Sequence, residues 1–371
     1  MMLKKWSDVL TIVSGKNQKA VVSPNGPYPI YGSGGIMGRA DDFLCEAGTT
    51  IVGRKGTINC PIFVNEPFWN VDTAFGISPG DELHPKYLYY FCCSFNFKEL
   101  DKSTTIPSLA KRDLLQIQMP VPHLNEQERI VSKIEELFSR LDASVAELQT
   151  AKEKLKVYRQ AVLFRAFQNL TDTITMDKVA DMIDPQPSHR TPPEVMDGVP
   201  YIGVGDIDYS VHKVNFSEAR KVSPSVLEEH RERYTLHKGD FIIGKIGTIG
   251  KPFVVPLPQD YTLSANVILI QPNCEKIVPE FLYWQFSSPL VTQQLTTGAV
   301  ATNQQAFGIK KARLLSIKMC CVELQRQIVS EIEGALSICD SIQQTIDTSL
   351  RLANALRQSI LKQAFEGALA T

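Results

Sequence analysis

The stretch "LNEQERIVSKIEEL" (residues 124–137) returns later in the chain as "VELQRQIVSEIEGAL" (residues 322–336). The aligned isoleucines, Ile130 and Ile328, are 198 positions apart. Both stretches carry apolar residues at alternating steps of four and three, the spacing that places side chains on one face of a helix. A repeated helix of this kind raises the question of how much more of the chain is duplicated.

The duplication extends through most of the chain. The paired stretches are "YPIYGSGGI" (28–36) with "VPYIGVGDI" (199–207), "AGTTIVGRKGTIN" (47–59) with "KGDFIIGKIGTIG" (238–250), "PKYLYYFCCS" (85–94) with "PEFLYWQFSS" (279–288), "KRDLLQIQM" (111–119) with "KARLLSIKM" (311–319), and "RQAVLFRAF" (159–167) with "RQSILKQAF" (357–365). The offset drifts in the first part of each half and settles in the last, because loops tolerate changes of length better than packed helices do. Two copies of a domain followed by a long helix also exclude a solenoid of many small repeats.

The repeated helices are predicted to form a coiled coil, because their apolar period is sustained over several heptads. From Glu126 to about Gln168 the first helix would be roughly 60 Å long at 1.5 Å per residue. Two helices of matched length pack most simply against each other. The residues predicted to make this pairing, or to contact a partner, are Ile130, Ile134, Leu137, Leu141, Leu148 and Leu155 in the first helix and Ile328, Ile332, Ile342, Ile346, Leu356 and Ile360 in the second.

The globular parts are predicted to be mixed α/β, of the α+β kind. Short β-rich runs such as "TTIVG", "DFIIG" and "NVILIQP" are separated by Gly and Pro, and the aromatic segments 85–94 and 279–288 are typical of short buried helices. The chain therefore divides into four predicted segments. They are a first globular domain (1–123), a first helical spacer (124–170), a second globular domain (171–321) and a second helical spacer (322–371).

Composition and motifs argue against catalysis and against a membrane. No apolar run approaches the roughly 18 to 20 residues of a membrane span, so we expect a cytoplasmic protein. The eight cysteines include no C-x-x-C spacing and the six histidines are scattered, so no metal site is expected. The glycine-rich stretches complete neither a dinucleotide fingerprint nor a phosphate-binding Walker loop, and no adenine-methyltransferase quartet occurs. The net charge of −1 leaves only a local basic patch for nucleic-acid binding.

Loops that combine Gly, Arg or Lys, and Thr occur in both copies and are the candidate ligand-binding sites. Cationic side chains and freed backbone amides suit phosphate contacts, and Arg, Lys, Asn and Gln can read base edges. The candidate DNA-contacting residues are Tyr31, Ser33, Arg54, Lys55, Thr57, Thr104 and Lys111 in the first copy and Asp206, Lys245, Thr248, Thr302, Asn303, Gln304 and Lys310 in the second. Tight hairpins with merely solvated charges are the alternative interpretation of each loop.

Over essentially its full length the chain resembles the specificity subunit of type I restriction-modification systems. The resemblance rests on "MPVPHLNEQERIVSKIEELFSRLD", on the helix ends "RQAVLFRAF" and "RQSILKQAF", and on "YPIYGSGGI", "TTIVGRKGTI" and "FWNVDTAF". It implies two target-recognition domains, each followed by a conserved helical region, with the two helices pairing as an antiparallel spacer.

The resemblance also implies a non-catalytic function and a set of partners. Such a subunit reads a bipartite, asymmetric sequence in double-stranded DNA, one half-site per globular domain, and docks two methyltransferase (modification) subunits that methylate adenine. Restriction subunits would add ATP-driven translocation and cleavage. No cofactor is expected on this chain, whereas S-adenosylmethionine, ATP and Mg are expected on the partner subunits.

Two other classes of protein stay open from the sequence alone. The first is a structural coiled-coil adaptor whose globular ends bind protein, which the near-neutral charge favours. The second is a methyltransferase or nuclease with an unusual core, which the missing motifs disfavour. A steep salt dependence of DNA binding would separate the specificity subunit from the adaptor, because phosphate contacts release counterions.

Overall fold

The computed structural model describes residues 2–245, 250–298 and 308–366. By its internal contacts the chain divides into two compact units. Unit 1 comprises residues 1–150 and 346–371, and unit 2 comprises residues 151–345. Each unit therefore contains one globular domain together with a part of each long helix.

Unit 1 begins with a mixed α/β domain and leads into the first long helix. Its elements are β1 (Leu3–Lys5), α1 (Trp6–Val9), β2 (Leu10–Ser14), β3 (Tyr28–Gly32), β4 (Gly35–Ala40), β5 (Thr49–Gly53), β6 (Ile62–Val64), β7 (Trp69–Asn70), β8 (Ala74–Pro79), α2 (Pro85–Ser94), a 3₁₀ turn (Phe97–Leu100), α3 (Lys111–Leu114), β9 (Gln118–Pro120) and α4 (Leu124–Gln168), whose last part belongs to unit 2. Within the described residues these strands pair in the orders β2-β8-β5-β6, β4-β3-β7 and β1-β9.

The sheets of unit 1 follow from the sequence pattern. β5 is buried along its whole length, which accounts for the unbroken, largely β-branched run "TTIVG". It pairs antiparallel with both β6 and β8, and β8 pairs antiparallel with β2. β3 pairs antiparallel with β4 across a tight turn and parallel with β7.

Unit 2 repeats this order of elements with additions. Its elements are β10 (Thr173–Thr175), a 3₁₀ turn (Met176–Lys178), β11 (Ala180–Ile183), β12 (Val199–Ile202), a 3₁₀ turn (Val204–Asp206), β13 (Ile207–Asp208), β14 (Lys213–Val214), β15 (Lys221–Val222), α5 (Pro224–Arg231), β16 (Phe241–Gly244), β17 (Phe253–Val254), β18 (Thr262–Leu263), β19 (Val267–Pro272), α6 (Pro279–Ser287), α7 (Pro289–Gly298), α8 (Ile309–Arg313), β20 (Ser316–Lys318) and α9 (Val322–Phe365), whose last part belongs to unit 1.

The sheet topology of unit 2 is that of unit 1 with one hairpin inserted. The orders β11-β19-β16-β17, β15-β12-β18 and β10-β20 match those of unit 1, and β12 is again antiparallel to one neighbour and parallel to the other. The added hairpin β13-β14 lies between β12 and β15, and α5 follows β15. In unit 1 the turn 33–34 joins β3 to β4, and residues 41–48 join β4 to β5. These shorter connections explain why the offset between the two copies drifts.

In each unit the domain core continues onto the long helices. The unit 1 core contains Trp6 and Leu88 from the domain, Ile134 from α4 and Leu361 from α9. In unit 2 the corresponding core contains Phe281 and Ile317 from the domain, Phe167 from α4 and Ile332 from α9. The aromatic segments predicted as short buried helices are α2 and α6, and this prediction is confirmed.

The two long helices run antiparallel within each unit. In unit 1 Arg357 forms an ion pair with Asp142, and its guanidinium lies 4.3 Å from the centre of the Phe138 ring. In unit 2 Arg159 Nη2 lies 2.6 Å from Asp340 Oδ1. The two arginines are 198 positions apart and so are the two aspartates, so the duplication that created the helices also repeated this ion pair.

The predicted pairing residues differ in burial. Buried are Ile130, Ile134, Leu155, Ile328, Ile332, Ile346 and Ile360, and half-buried are Leu137, Leu141 and Leu148. Ile342 and Leu356 are 44% and 50% exposed, so the structure places these two off the helix seam. In α9 the seam passes at steps of seven through Cys339, Ile346, Ala353 and Ile360.

The predicted fold class is confirmed: the structure has two related α+β domains and two long helices that run antiparallel in each unit. The long helices lie inside the predicted spacers 124–170 and 322–371, whereas each compact unit draws on both of these spacers. The four-segment division stays a prediction. None of the helices in the described ranges combines the length and apolarity needed to cross a membrane.

Candidate nucleic-acid interface

The loop after β5 turns back on itself so tightly that two positions require glycine. A Cβ on Gly53 would lie 2.0 Å from the carbonyl oxygen of Thr57, and Gly56 has a φ of +78°. Only glycine accepts that approach without a clash, and glycine adopts a positive φ without strain. The turn carries Arg54, Lys55 and Thr57. Lys55 and Thr57 are exposed.

Backbone hydrogen bonds fix this loop against two other segments. The Arg54 amide donates to the Thr73 carbonyl over 2.8 Å, which ties the loop to the start of β8. The Gly56 amide donates to the Pro107 carbonyl over 2.9 Å, and the Leu109 amide donates to the Arg54 carbonyl over 2.8 Å. Residues 53–57 and 102–109 therefore form one surface, which we call the unit 1 loop cluster together with the turn 32–35.

The segment 102–109 has its own organising residue. The Asp101 carboxylate accepts hydrogen bonds from the hydroxyl and the amide of Ser103 and from the amide of Ser108. These bonds, the Ser103 hydroxyl first, lower the pKa of Asp101 below its usual range. Thr104 is exposed between the anchored ends of this loop.

The remaining candidates of unit 1 border the cluster. Ser33 lies in the β3–β4 turn, where its Oγ would be 3.9 Å from a Cβ placed on Gly56. Tyr31 packs edge-on against Phe68 with ring centres 5.4 Å apart, and burial, followed by the nearby Glu66 charge, raises the pKa of Tyr31. Ser33 thus lies next to the cationic loop.

The cations of unit 1 differ in how firmly they are held. Arg54 is half-buried; its Nη1 lies 3.4 Å from the Asp72 carbonyl oxygen and its guanidinium 5.7 Å from the Phe75 ring. Lys111 Nζ donates to the Ile12 carbonyl over 2.6 Å. In the described part of the chain no hydrogen bond or ion pair is found for the Lys55 side chain. Lys55 is therefore the most available cation of the cluster.

The equivalent loop of unit 2 begins in the same way and then differs. The Lys245 amide donates to the Asn266 carbonyl over 2.8 Å, in the same position relative to β19 as the Arg54–Thr73 bond relative to β8. Lys245 Nζ, however, lies 2.8 Å from Asp184 Oδ2, and the two side chains are only 13% and 17% exposed. The Lys245 charge is thus neutralised by a carboxylate, whereas the equivalent Arg54 contacts only a backbone carbonyl oxygen and an aromatic ring.

Two further candidates of unit 2 lie within the described structure. The Asp206 carboxylate accepts the Gly203 amide over 2.8 Å and so caps the 3₁₀ turn before the inserted hairpin. Lys310 is exposed in the first turn of α8. Thr248, Thr302, Asn303 and Gln304 lie outside the described residues. Contact of any of these residues with DNA stays a prediction.

A buried polar network in unit 2 was not found from the sequence. His230 of α5 is fully buried; its Nδ1 hydrogen-bonds the Thr262 hydroxyl and its Nε2 the Gln186 side-chain oxygen. Gln186 Nε2 in turn donates to Ser188 Oγ over 2.8 Å, so the network supports the segment that carries Asp184. Since α5 has no copy in unit 1, the repeat gave no signal for it.

Two buried glutamines were also missed, although the repeat did mark them. Gln127 and Gln325 occupy equivalent positions at the start of α4 and α9, and both are fully buried. Gln127 Oε1 accepts the His84 amide over 2.8 Å, and Gln325 Oε1 accepts the Val278 amide over 2.8 Å. The sequence did carry a signal for them, because a glutamine repeats at the same offset of 198 positions as the buried isoleucines. A search restricted to apolar residues overlooks it.

The surface assembled in unit 1 suits contact with nucleic acid. Exposed Lys and Thr side chains and loop amides bind phosphate oxygens, and Arg and Lys can also donate to guanine edges. Ile36 and Met37, 66% and 63% exposed, follow the β3–β4 turn and add apolar area beside it. Over the described ranges, no cluster of His, Cys, Asp or Glu suited to holding a metal ion is present.

The comparisons with known proteins agree with this reading. The profile of the family "Type I restriction modification DNA specificity domain" matches residues 1–153 and again residues 190–350. Among curated proteins, the EcoBI type I restriction enzyme specificity subunit of Escherichia coli is 25% identical over 349 residues, covering 86% of this chain and 73% of that protein. A putative type I restriction enzyme specificity subunit of Haemophilus influenzae, S.HindORF215P, is 20% identical over 355 residues, covering 94% and 90%.

Solved structures share the fold. A chain from a study of complex assembly and conformational transition of the type I restriction-modification system superposes with a TM-score of 0.74 at 16% identity, covering 99% of this chain and 98% of that one. The HsdS subunit of Thermoanaerobacter tengcongensis gives a TM-score of 0.57 at 16% identity, covering 99% and 97%. The chain therefore belongs to the type I restriction-modification DNA specificity family, whose members recognise a DNA sequence while catalytic activity lies on other subunits.

Proposed function

We propose that the chain reads a bipartite, asymmetric sequence in double-stranded DNA, with one half-site contacted by each unit. The observation that carries the proposal is that the same loop leaves the same sheet position in both units but presents different side chains. In unit 1 Arg54 and the exposed Lys55 follow the glycine, whereas in unit 2 the residue equivalent to Arg54 is Lys245, whose charge is paired with Asp184. Two copies of one scaffold with different reading surfaces make a target with two unlike halves.

The long helices are the proposed docking surface for the modification subunits. Their sequences repeat at a constant offset of 198, and so does the Arg–Asp ion pair that each unit contains. Equivalent surfaces on one chain recruit two copies of one partner with approximate twofold symmetry. These partners are methyltransferase subunits, which bind S-adenosylmethionine and methylate adenine; restriction subunits with ATP and Mg complete the system. We place the assembly in the cytoplasm, where its DNA substrate is found.

The test is co-expression of the chain with its methyltransferase partner, followed by single-molecule mapping of methyladenine in the host DNA. The expected result is one gapped motif with two different half-sites, absent when the gene for this chain is deleted. Lys55→Ala should reduce modification of all sites, because it removes a contact of unit 1 with a DNA phosphate or base. Lys238→Ala, at an exposed position of unit 2 outside the long helices and the unit 1 loop cluster, serves as the charge-matched control.

A continuous, ungapped motif would contradict the bipartite reading. A complex that forms without any methylation motif would contradict sequence recognition by this chain and favour the protein-binding adaptor. Purified complex should also lose DNA affinity steeply as salt rises, with a slope that reports the number of phosphate contacts. Affinity independent of salt would argue against the loop cluster as the interface.

A further inference from the structure

Each long helix begins with a buried glutamine that binds three separate parts of its unit. Gln127 Nε2 donates to the Glu82 carbonyl and to the Pro122 carbonyl, each over 2.8 Å, while its Oε1 accepts the His84 amide. Gln127 thus joins the loop before α2, the segment that leads out of β9, and the first turn of α4. All of its bonds are to backbone atoms, so they fix the path of the chain and not one neighbouring side chain.

The second copy repeats the arrangement. Gln325 Oε1 accepts the Val278 amide from the residue before α6, and its Nε2 donates to the Cys320 carbonyl over 2.9 Å. Val278 precedes α6 as His84 precedes α2, and Cys320 leads into α9 as Pro122 leads into α4. Only an amide side chain can accept from one backbone group and donate to others in this way. The two units have kept this residue although the loops around it differ.

We infer that Gln127 and Gln325 are positioning residues that fix the orientation of each recognition domain on its helix and thereby set the number of base pairs between the two half-sites. The inference rests on the proposed function. Adjacent base pairs are about 3.4 Å apart along each strand. If a domain pivoted at the start of its helix so that its DNA-contacting loops moved by a few ångströms, those loops would therefore reach the neighbouring base pair.

The experiment is motif mapping with the full chain in complex with its methyltransferase partner. The variants are Gln127→Leu, Gln325→Leu and Gln127→Glu. In Gln127→Glu the carboxylate still accepts the His84 amide but cannot donate to the Glu82 and Pro122 carbonyls. Gln285→Leu and Gln118→Leu are the controls outside the long helices, since Gln285 is buried in α6 and hydrogen-bonds both backbone groups of Lys318, and Gln118 is exposed in β9.

The wild type and the controls should modify sites of a single spacing. In each Gln127 or Gln325 variant the two half-site sequences should stay unchanged, while at least about a tenth of the modified sites carry a spacing one base pair longer or shorter. Combining Gln127→Leu with Gln325→Leu should widen the distribution further. A half-site that changes in sequence would show that the glutamine acts on base reading and would overturn the inference.

Folding is followed in parallel by thermal unfolding of each purified complex. Folded variants that keep a single spacing would overturn the positioning role, and so would loss of folding in all three variants, which would assign the glutamines to stability alone. A wild-type complex without a gapped motif would instead mark the failure of the proposed function. The two failures are therefore distinguishable before any variant is made.

Discussion

The two units resemble each other most where the domain meets the long helices and least where the loops leave the sheet. At the helices the match is residue for residue: Gln127 and Gln325, and the two Arg–Asp ion pairs, all keep the offset of 198. At the β3–β4 turn the offset is different, because unit 2 inserts a 3₁₀ turn and the hairpin β13-β14. Packing against a shared helix pair constrains both copies equally, whereas an exposed turn is free to change.

The difference between the loops also changes their electrostatics. In unit 1 Arg54 follows the glycine and donates to the Asp72 carbonyl, whereas in unit 2 the equivalent Lys245 is paired with a carboxylate from the segment after β11. The inserted hairpin also contributes Tyr209, whose ring centre lies 4.1 Å from Lys251 Nζ. A duplicated scaffold can therefore present different charge patterns without altering its core.

The largest effect is expected when a charge is placed in the core between domain and long helices, which has the same construction in both units. Ile134→Asp and Ile332→Asp should each lower the free energy of unfolding by at least about 4 kcal/mol, because they bury an unpaired carboxylate and remove core packing. Denaturant titration of the purified chain measures the loss. Ile342→Asp, at a 44% exposed position of the same helix, is the control and should cost less than about 1 kcal/mol. Equal losses at positions 332 and 342 would contradict the described seam.

The next effect separates the two loop cations. Lys55→Ala should weaken DNA binding about three- to tenfold and reduce the salt slope by about one, with no change in the unfolding midpoint. Lys245→Ala leaves Asp184 partly buried without its partner, so it should also lower the free energy of unfolding by about 1 to 3 kcal/mol. Filter binding at several salt concentrations and denaturant titration measure both quantities. Identical behaviour of the two variants would remove the proposed difference between the loops.

The buried histidine predicts a pH dependence that only unit 2 should show. Burial, followed by the Arg233 charge, lowers the pKa of His230, with Glu229 acting in the opposite sense. A histidine whose pKa is lower in the folded state stabilises the fold above its unfolded pKa of about 6.5, and this stability is lost as the pH falls below that value. Unfolding followed at pH 7.5 and pH 5.5 should show the loss.

His230→Gln should flatten that dependence, because the neutral amide cannot be protonated in either state. His123→Gln, at an exposed position just before α4, is the control and should leave the dependence as it is. If the wild type and His230→Gln lose stability in parallel as the pH falls, other groups cause the loss.

The smallest effect concerns the repeated ion pairs. Arg357→Asp should destabilise unit 1 by about 0.2 to 1 kcal/mol, since Asp142 is 61% exposed and solvent screens the interaction. Adding Asp142→Arg to restore opposite charges should recover most of the loss, and Arg159→Asp with Asp340→Arg should behave alike in unit 2. A double-mutant cycle measures each coupling. A zero coupling in one unit alone would show that the two helix contacts are not energetically equivalent.

The sequence predicted the architecture because the relevant information is periodic and local. Ile130, Ile134, Ile328 and Ile332 follow a helical spacing and repeat, and all four are buried. Their pattern needs no knowledge of distant residues. Ile342 and Leu356 fit a helical spacing but are partly exposed, because the smaller Cys339 and Ala353 pack in the seam. Contact of Ile342 and Leu356 with a partner stays a prediction.

The candidate site was predictable only in part. The glycine turn singled out Arg54 and Lys55, since Gly and adjacent cations are visible in the sequence, whereas the approach of Ser33 to Gly56 appears only in the fold. The pairing of Lys245 with Asp184 was not predictable, because the two residues are 61 positions apart and no periodicity links them. The support of the Asp184 segment by His230 depends likewise on an α5 helix that has no copy. Long-range polar contacts require the folded chain.

Each repeated ion pair takes its arginine from one copy of the duplicated helix and its aspartate from the other. Neither copy can therefore form this ion pair by itself, and a mutation in one helix affects a residue that is 181 or 215 positions away in the sequence. Such a chain should accept an exchanged recognition domain readily but reject an exchanged helix unless the second helix is exchanged with it. The loop sequences can therefore change independently, whereas a change in one helix has to be matched by a change in the other.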